Sequence, residues 1–353
     1  MHNLQNTRVV YLDSMRGILM LLVVFYHSSL VFSPNTHWVV NSPNTIILAY
    51  GISQFLILFI MPLFFIISGY FALMGVKKYT PEIFITKRLK RIFIPLLVTT
   101  LTLNVLQALL AKGDGWYEYY THGGWISHLW FLWNLVFYFI LIYIDLKFLK
   151  LKYTVVDLFL SKLNIYTIVL LLPFLSIALL VIGKILPATV LGVSISAILY
   201  FLPYFIFGIL LYTKNNLIHK FISMKKRNLI ILTIFAYTFY SLTKSHDGII
   251  FLTIGIYFQS LAAWLLSSLS FNLFYNFVNK PSKILNTLSN ASYTIYLFHH
   301  VLVVFFALIL IEFSIGGILG MFLLVLLASL SSLLIHIFLI SKFNVLSFLY
   351  NGK

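Results

Sequence analysis

Arg16 and His27 are the residues of this chain whose types and spacing most plainly invite chemistry. Ten residues, Gly17-ILMLLVVF-Tyr26, separate them inside the first long apolar run. On an α-helix, eleven steps of about 100° return to within about 20° of the start, so both side chains share one face. They lie about 16 Å apart along the axis, roughly half the hydrocarbon thickness of a bilayer. A guanidinium can hold a phosphate bidentately, and a neutral imidazole can serve as a general base. Each residue also has a plainer role open to it. Arg16 can snorkel towards headgroups with Asp13 as its neighbour one turn away, and His27 can make a cross-helix hydrogen bond. Ionisable residues placed this way in lipid are costly, and their shared face favours a functional path.

The elements that must position this pair follow from composition. The 353 residues are 61% hydrophobic and only 9% charged, with a mean hydropathy of +1.01. A soluble domain could not hide that much apolar surface, so the chain reads as an all-α, polytopic membrane protein. Ten spans are expected: Met15–Phe32, Ile46–Met74, Ile92–Ala111, His128–Leu146, Tyr166–Val181, Thr189–Tyr212, Asn228–Leu242, Gly248–Phe277, Tyr293–Ile311 and Gly317–Ile340. The net charge of +16 does not point to nucleic acid, because the basic residues fall in short loops between apolar runs. With these spans, twenty-one of the 24 Lys and Arg residues lie on one side, and Lys112, Lys184 and Lys244 on the other. By the positive-inside rule both termini are expected in the cytoplasm. The first run has a basic start but no small-residue cleavage site, so it reads as a retained helix and not a signal peptide. There are no cysteines, hence no disulfide or thiol chemistry. No linker or repeat interrupts residues 1–353, which are expected to form one integral-membrane domain without a fused extracellular domain.

Further candidates sit along these spans. Arg88 and Arg91, within the basic segment Lys77–Arg91, are near neighbours if the third span begins helically there. Two guanidiniums on one face suit a nucleotide phosphate, although positive-inside charge alone explains the segment. Ser68-Gly69, near the end of the second span, suits close packing or a site. His128, followed by Leu-Trp-Phe-Leu-Trp133, is close in expected depth to His27. The ninth span carries His299 and His300, of which one is expected to face the bundle interior, because adjacent residues differ by about 100°. Glu312 ends that span and is expected to be solvated. No HExxH and no in-membrane carboxylate cluster supports a metal, and none is expected. Ser28, Asn134 and His128 are the candidates to orient His27. Two outer loops stand out: Ser33–Thr45, polar and uncharged, and Lys112–His128, rich in Trp and Tyr. Aromatic rings beside polar groups suit sugar stacking, and an interfacial belt explains the same composition. Serine-hydrolase, phosphate-loop and dinucleotide signatures are missing, and no midplane acid supports ion-coupled transport.

Taken in order, Tyr11-LDSMRGILMLLVVFY-His27, Phe64-FIISGY-Phe71, Lys87-RLKRIFI-Pro95 and Ala291-SYTIYLF-His299 resemble the acyltransferase family 3 membrane proteins, over nearly the whole chain. The His128-Leu-Trp-Phe-Leu segment is most similar to the branch that succinylates periplasmic glucans. The resemblance implies a ten-helix bundle that moves an acetyl or succinyl group from cytoplasmic acyl-CoA to a hydroxyl of an extracytoplasmic glycan. Acyl-CoA is then a donor substrate, with no tightly bound cofactor. His27 would be the catalytic base, and Arg16, Arg88 and Arg91 the phosphate-binding cations. His128, Ser68, His299 and Glu312 are secondary candidates. The setting would be the bacterial cytoplasmic membrane, with the lipid bilayer, a carbohydrate acceptor and glycan-synthesis machinery as partners. Direct transfer and hand-off to a separate protein both remain open, as does the competing reading of a polysaccharide exporter or flippase without acyl chemistry.

Overall fold

The computed structural model describes residues 9–34, 36–149, 163–190, 192–244 and 246–353. Arg8, Asn35, Lys150, Lys152, Lys162 and Leu191, which the charge, loop and span readings include, lie outside the described residues. In chain order the helices are α1 (Val10–Val31), α2 (Ile47–Val76), α3 (Pro81–Leu101), α4 (Leu103–Lys112), α5 (Trp130–Ile144), α6 (Ile165–Ile185), α7 (Ile195–Thr213), α8 (Asn215–Ile222), α9 (Lys226–Thr243), α10 (Ile249–Phe277), α11 (Lys283–Glu312), α12 (Gly317–Ile335) and α13 (Asn344–Asn351). Two residue pairs, Thr189–Val190 and Val193–Ser194, form a minimal antiparallel hairpin.

Among the described residues, eight helical stretches are long and apolar enough to cross a membrane. The protein is therefore a mainly helical, multi-pass membrane protein. One stretch, Pro81–Leu149, runs through α3, α4 and α5 and holds two of the expected spans. The expected span Asn228–Leu242 falls on α9, which does not meet that standard. The expected third span differs in two ways. Its helix starts at Pro81, so Lys87–Arg91 are helical, and it breaks at Thr102, whose hydroxyl bonds back to the Val98 carbonyl at 2.6 Å. Such back-bonding competes with the helical ladder and bends it. The ninth begins at Lys283, ten residues before the expected start, with the Ser282 hydroxyl accepting from the Leu285 amide.

The described residues form two compact units, interleaved in sequence. The first holds the residues up to Ile57, Leu89–Trp133 and Val278–Lys353. Its axis is α1 against α11. A Cβ on Gly17 would sit 2.9 Å from the Ser289 amide nitrogen, so only glycine beside Arg16 lets α1 lie this close. The C-terminal α13 packs on α3: Gly352, in the left-handed region at φ +60°, presses on the backbone of Lys90 and Arg91. Lys90 adds a cation–π contact to Phe348 at 5.3 Å.

The second unit holds Leu58–Arg88 and the described part of Asn134–Phe277. Here α2 and α7 cross on reciprocal glycines. A Cβ on Gly69 would run into the Phe205 carbonyl oxygen, and one on Gly208 into that of Ile66. Small residues that let backbones touch are how helices gain packing energy where lipid offers no hydrophobic drive. Tyr204 stacks on Trp264 at 4.2 Å and shares a hydrogen bond with Ser260 at 3.1 Å. Asn272 donates to the Ile222 carbonyl at 2.6 Å.

Candidate functional site

The first unit contains an unusual concentration of buried imidazoles. His27 of α1, His128 from the segment before α5, and His299 and His300 of α11 form one cluster. The His27 ring centre lies 5.2 Å from that of His299 and 4.7 Å from that of His300. His128 stacks on His300 at 4.7 Å with planes 10° apart, and lies 5.0 Å from His299. His128, His299 and His300 are all buried. The adjacent pair His299 and His300 therefore does not split into one interior and one lipid-facing residue, as the helical angle suggests. α1 lies against both rings, and His128 closes the remaining side, so a sector wider than 100° is interior.

Hydrogen bonds fix how two of these rings can act. The Nδ1 of His299 lies 2.7 Å from the Tyr296 carbonyl oxygen and 3.1 Å from that of Ile295. Carbonyls only accept, so this nitrogen carries the proton and Nε2 keeps its lone pair. His300 Nδ1 meets the Gln107 amide oxygen at 2.6 Å. At its other end Nε2 of Gln107 donates to the Ser127 hydroxyl at 3.4 Å, and that hydroxyl also lies 3.4 Å from His300 Nδ1. With the amide oxygen against it, Nδ1 of His300 is the donor and Nε2 the acceptor. Nδ1 of His27, Nε2 of His128 and Nε2 of His299 are buried with no hydrogen-bond partner among the described residues. Leaving such a group unpaired costs about 1–3 kcal/mol each, which a bound hydroxyl or carbonyl would recover. Tyr296 fastens the cluster from below, donating to the His128 carbonyl at 2.7 Å. Ser127 holds φ at +45°, a strained conformation for a residue with a side chain. That strain sits where the chain turns to deliver His128.

Arg16 shares this seam. Its guanidinium lies 3.4 Å from Ser292 of α11 and 3.4 Å from the Asp13 carboxylate. Both Arg16 and His27 therefore face α11, as the spacing predicts. At the Arg16 end, partial burial and the charges of Arg91 and Arg16 push the Lys353 ammonium below its usual range. Arg88 belongs to the second unit, where it donates to the Phe71 carbonyl and lies over the rings of Phe84 and Phe139. Ser68 is also in the second unit, half-buried beside the Gly69 crossing. Asn134 belongs there too, and both its amide atoms are buried without a partner among the described residues. Ser28 is buried, its hydroxyl without a partner among the described residues, and Glu312 is exposed at the end of α11.

Sequence reasoning missed Trp38, Gln107, Ser127 and Tyr296. Gln107 left a signal, being a polar side chain within an apolar span. Trp38 left none that separates it from an interfacial anchor. In the structure its indole lies 5.7 Å from His27 and 5.0 Å from His300. In the second outer loop Trp116 pairs with Tyr117 and Tyr120, and Trp125 meets Trp133 of α5. Among the described residues no three His, Asp or Glu side chains converge as they would around a metal; the imidazoles meet ring to ring.

The chain belongs to the acyltransferase family described as "Acyltransferase domain", which matches residues 9–340, and it is a membrane acyltransferase. It is similar to glucans biosynthesis protein C of Escherichia coli strain SMS-3-5 / SECEC, at 29% identity over 98% of this chain and 95% of that protein. The proteins of that name from strain K12 and from O9:H4 strain HS show the same identity and coverage. No solved structure matches the chain.

Proposed function

We propose that this protein moves a short acyl group, acetyl or succinyl, from acyl-CoA on the cytoplasmic side to a hydroxyl of a glycan on the other side of a bacterial cytoplasmic membrane. The observation that carries the reading is the seam of α1 and α11, with Arg16 at one end and His27 in a buried imidazole cluster at the other. Charge asymmetry in the sequence supports the Arg16 end as the cytoplasmic one. The similarity to proteins named for glucan biosynthesis supports a glucan as the acceptor.

In this reading Arg16 and Arg91 hold the donor's phosphates, and the flexible arm of CoA carries the thioester along the seam. His27 takes the proton from the acceptor hydroxyl as its oxygen attacks the thioester carbonyl carbon. A C–O bond forms, the C–S bond breaks, and the imidazolium returns the proton to the departing thiolate. The products are a glycan ester and free CoA, with His27 neutral again. Nε2 of His128, buried without a partner among the described residues, is the ring nitrogen suited to donate to the thioester oxygen as negative charge develops there.

The test is transfer by the purified protein in lipid nanodiscs, with a panel of short acyl-CoAs and linear glucan oligosaccharides. Ester on the oligosaccharide, read by mass spectrometry, should appear in step with free thiol. Folded protein that gives neither product with any donor overturns the proposal.

A further inference from the structure

The sequence places sugar-stacking aromatics most densely in the second outer loop, yet the structure brings a different ring to the histidines. We propose that Trp38 and His300 form the acceptor-sugar subsite, with the indole carrying the pyranose ring and His300 accepting from one of its hydroxyls. The inference rests on the acyl-transfer reading above and names the part of the site that selects its acceptor.

Three observations support it. First, Trp38 is half-buried and contacts both His27 and His300, so a ring lying on the indole brings its hydroxyls beside the proposed base. Pyranose rings present C–H faces that pack on aromatic rings, and indole offers the largest such face. Second, the loop that carries Trp38 is built to hold it. Asn41 accepts from the Trp38 amide at 3.1 Å and donates to the Thr36 carbonyl at 2.7 Å. The amides of Ser42 and Ile46 donate to the Val31 and Phe32 carbonyls, both at 2.8 Å, which pins the loop to the end of α1. A platform fixed before binding loses little freedom when the ligand arrives. Third, Gln107 occupies Nδ1 of His300, which leaves Nε2 to accept only. A sugar hydroxyl is a donor of matching kind, and it would hold the ring in one register over the indole.

The experiment compares wild type with Trp38→Ala and Trp38→Phe, each in nanodiscs. Oligosaccharide binding is measured by calorimetry without donor, acyl-CoA binding without acceptor, and transfer with both. Loss of the stacking face should raise the acceptor's Kd and KM about tenfold in Trp38→Ala. Trp38→Phe keeps a smaller face and should raise them only about twofold to threefold. Donor Kd should not move in either variant, which also reports that each is folded. Unchanged acceptor Kd in Trp38→Ala, or equal loss of donor and acceptor binding in both variants, overturns the subsite. If wild type binds the oligosaccharide through Trp38 but transfers no acyl group, the subsite stands and the acyl-transfer reading falls.

Discussion

Where α2 meets α7 in the second unit, the Gly69 and Gly208 backbones lie directly on the carbonyls of the facing helix, with no side chain between them. Where α1 meets α11 in the first unit, Gly17 creates one such approach, and ten residues further on imidazoles fill the gap instead. Both seams join apolar helices. The glycine seam gains from backbone contact; Tyr204 bonds Ser260 and Asn272 a carbonyl, while the indole nitrogen of Trp264 and the amide of Asn134, scattered through the same unit, have no partner among the described residues. Among the described residues, the histidine seam keeps three ring nitrogens without a partner in one place. A buried polar group without a partner is a stability loss that packing alone would not retain. On the acyl-transfer reading proposed above, the first joint serves adhesion and the second receives the substrates.

The strongest way to break this comparison is His27→Ala. If the imidazole seam serves chemistry, kcat/KM for transfer should fall about 10²- to 10⁴-fold, the usual contribution of a general base. The thermal midpoint should hold or rise, since an unpaired buried nitrogen is removed. A large drop in thermal midpoint with activity per folded molecule preserved would make His27 a packing residue.

Gly208→Ala probes the opposite seam. The added Cβ meets the Ile66 carbonyl, a backbone atom that cannot swing aside as a side chain would. Overpacking of this kind costs about 1–3 kcal/mol, so denaturation should come earlier while kcat per folded molecule stays unchanged. Equal stability of Gly208→Ala and wild type would remove the adhesive role assigned to the crossing.

Much of this was legible in the residues. The apolar runs fell on helices because runs this long and continuously apolar satisfy their backbone groups in lipid within one segment only as helices. The Arg16–His27 spacing predicts a shared face, and both side chains do face α11 because α1 stays helical through them. What the sequence does not carry is which other helix supplies the partners. Gln107 and His300 are 193 residues apart, and their bond depends on how α4 lies against α11 after the break at Thr102. Trp38 reads as an anchor until the loop is seen folded over the cluster. The angular argument for His299 and His300 assumed one interior sector per helix, whereas α11 has neighbours on several sides.

Gln107→Ala makes the smallest and most discriminating change. The Gln107 oxygen fixes the His300 proton on Nδ1, so removing it frees the ring to sample the other tautomer and other orientations. One hydrogen bond of this kind is worth about 1 kcal/mol, so kcat should fall roughly fivefold. The donor KM should stay put, because Arg16 and Arg91 lie at the other end of the seam. Gln107→Glu keeps an acceptor at the same place and should restore the Nδ1–H tautomer, visible in nitrogen-15 imidazole spectra assigned against His300→Gln. A merely structural Gln107 would lower stability in both variants without moving the tautomer signal. Tautomer loss in Gln107→Ala with recovery in Gln107→Glu would show that α4, although it donates no residue to the expected motifs, sets the protonation of the imidazole seam.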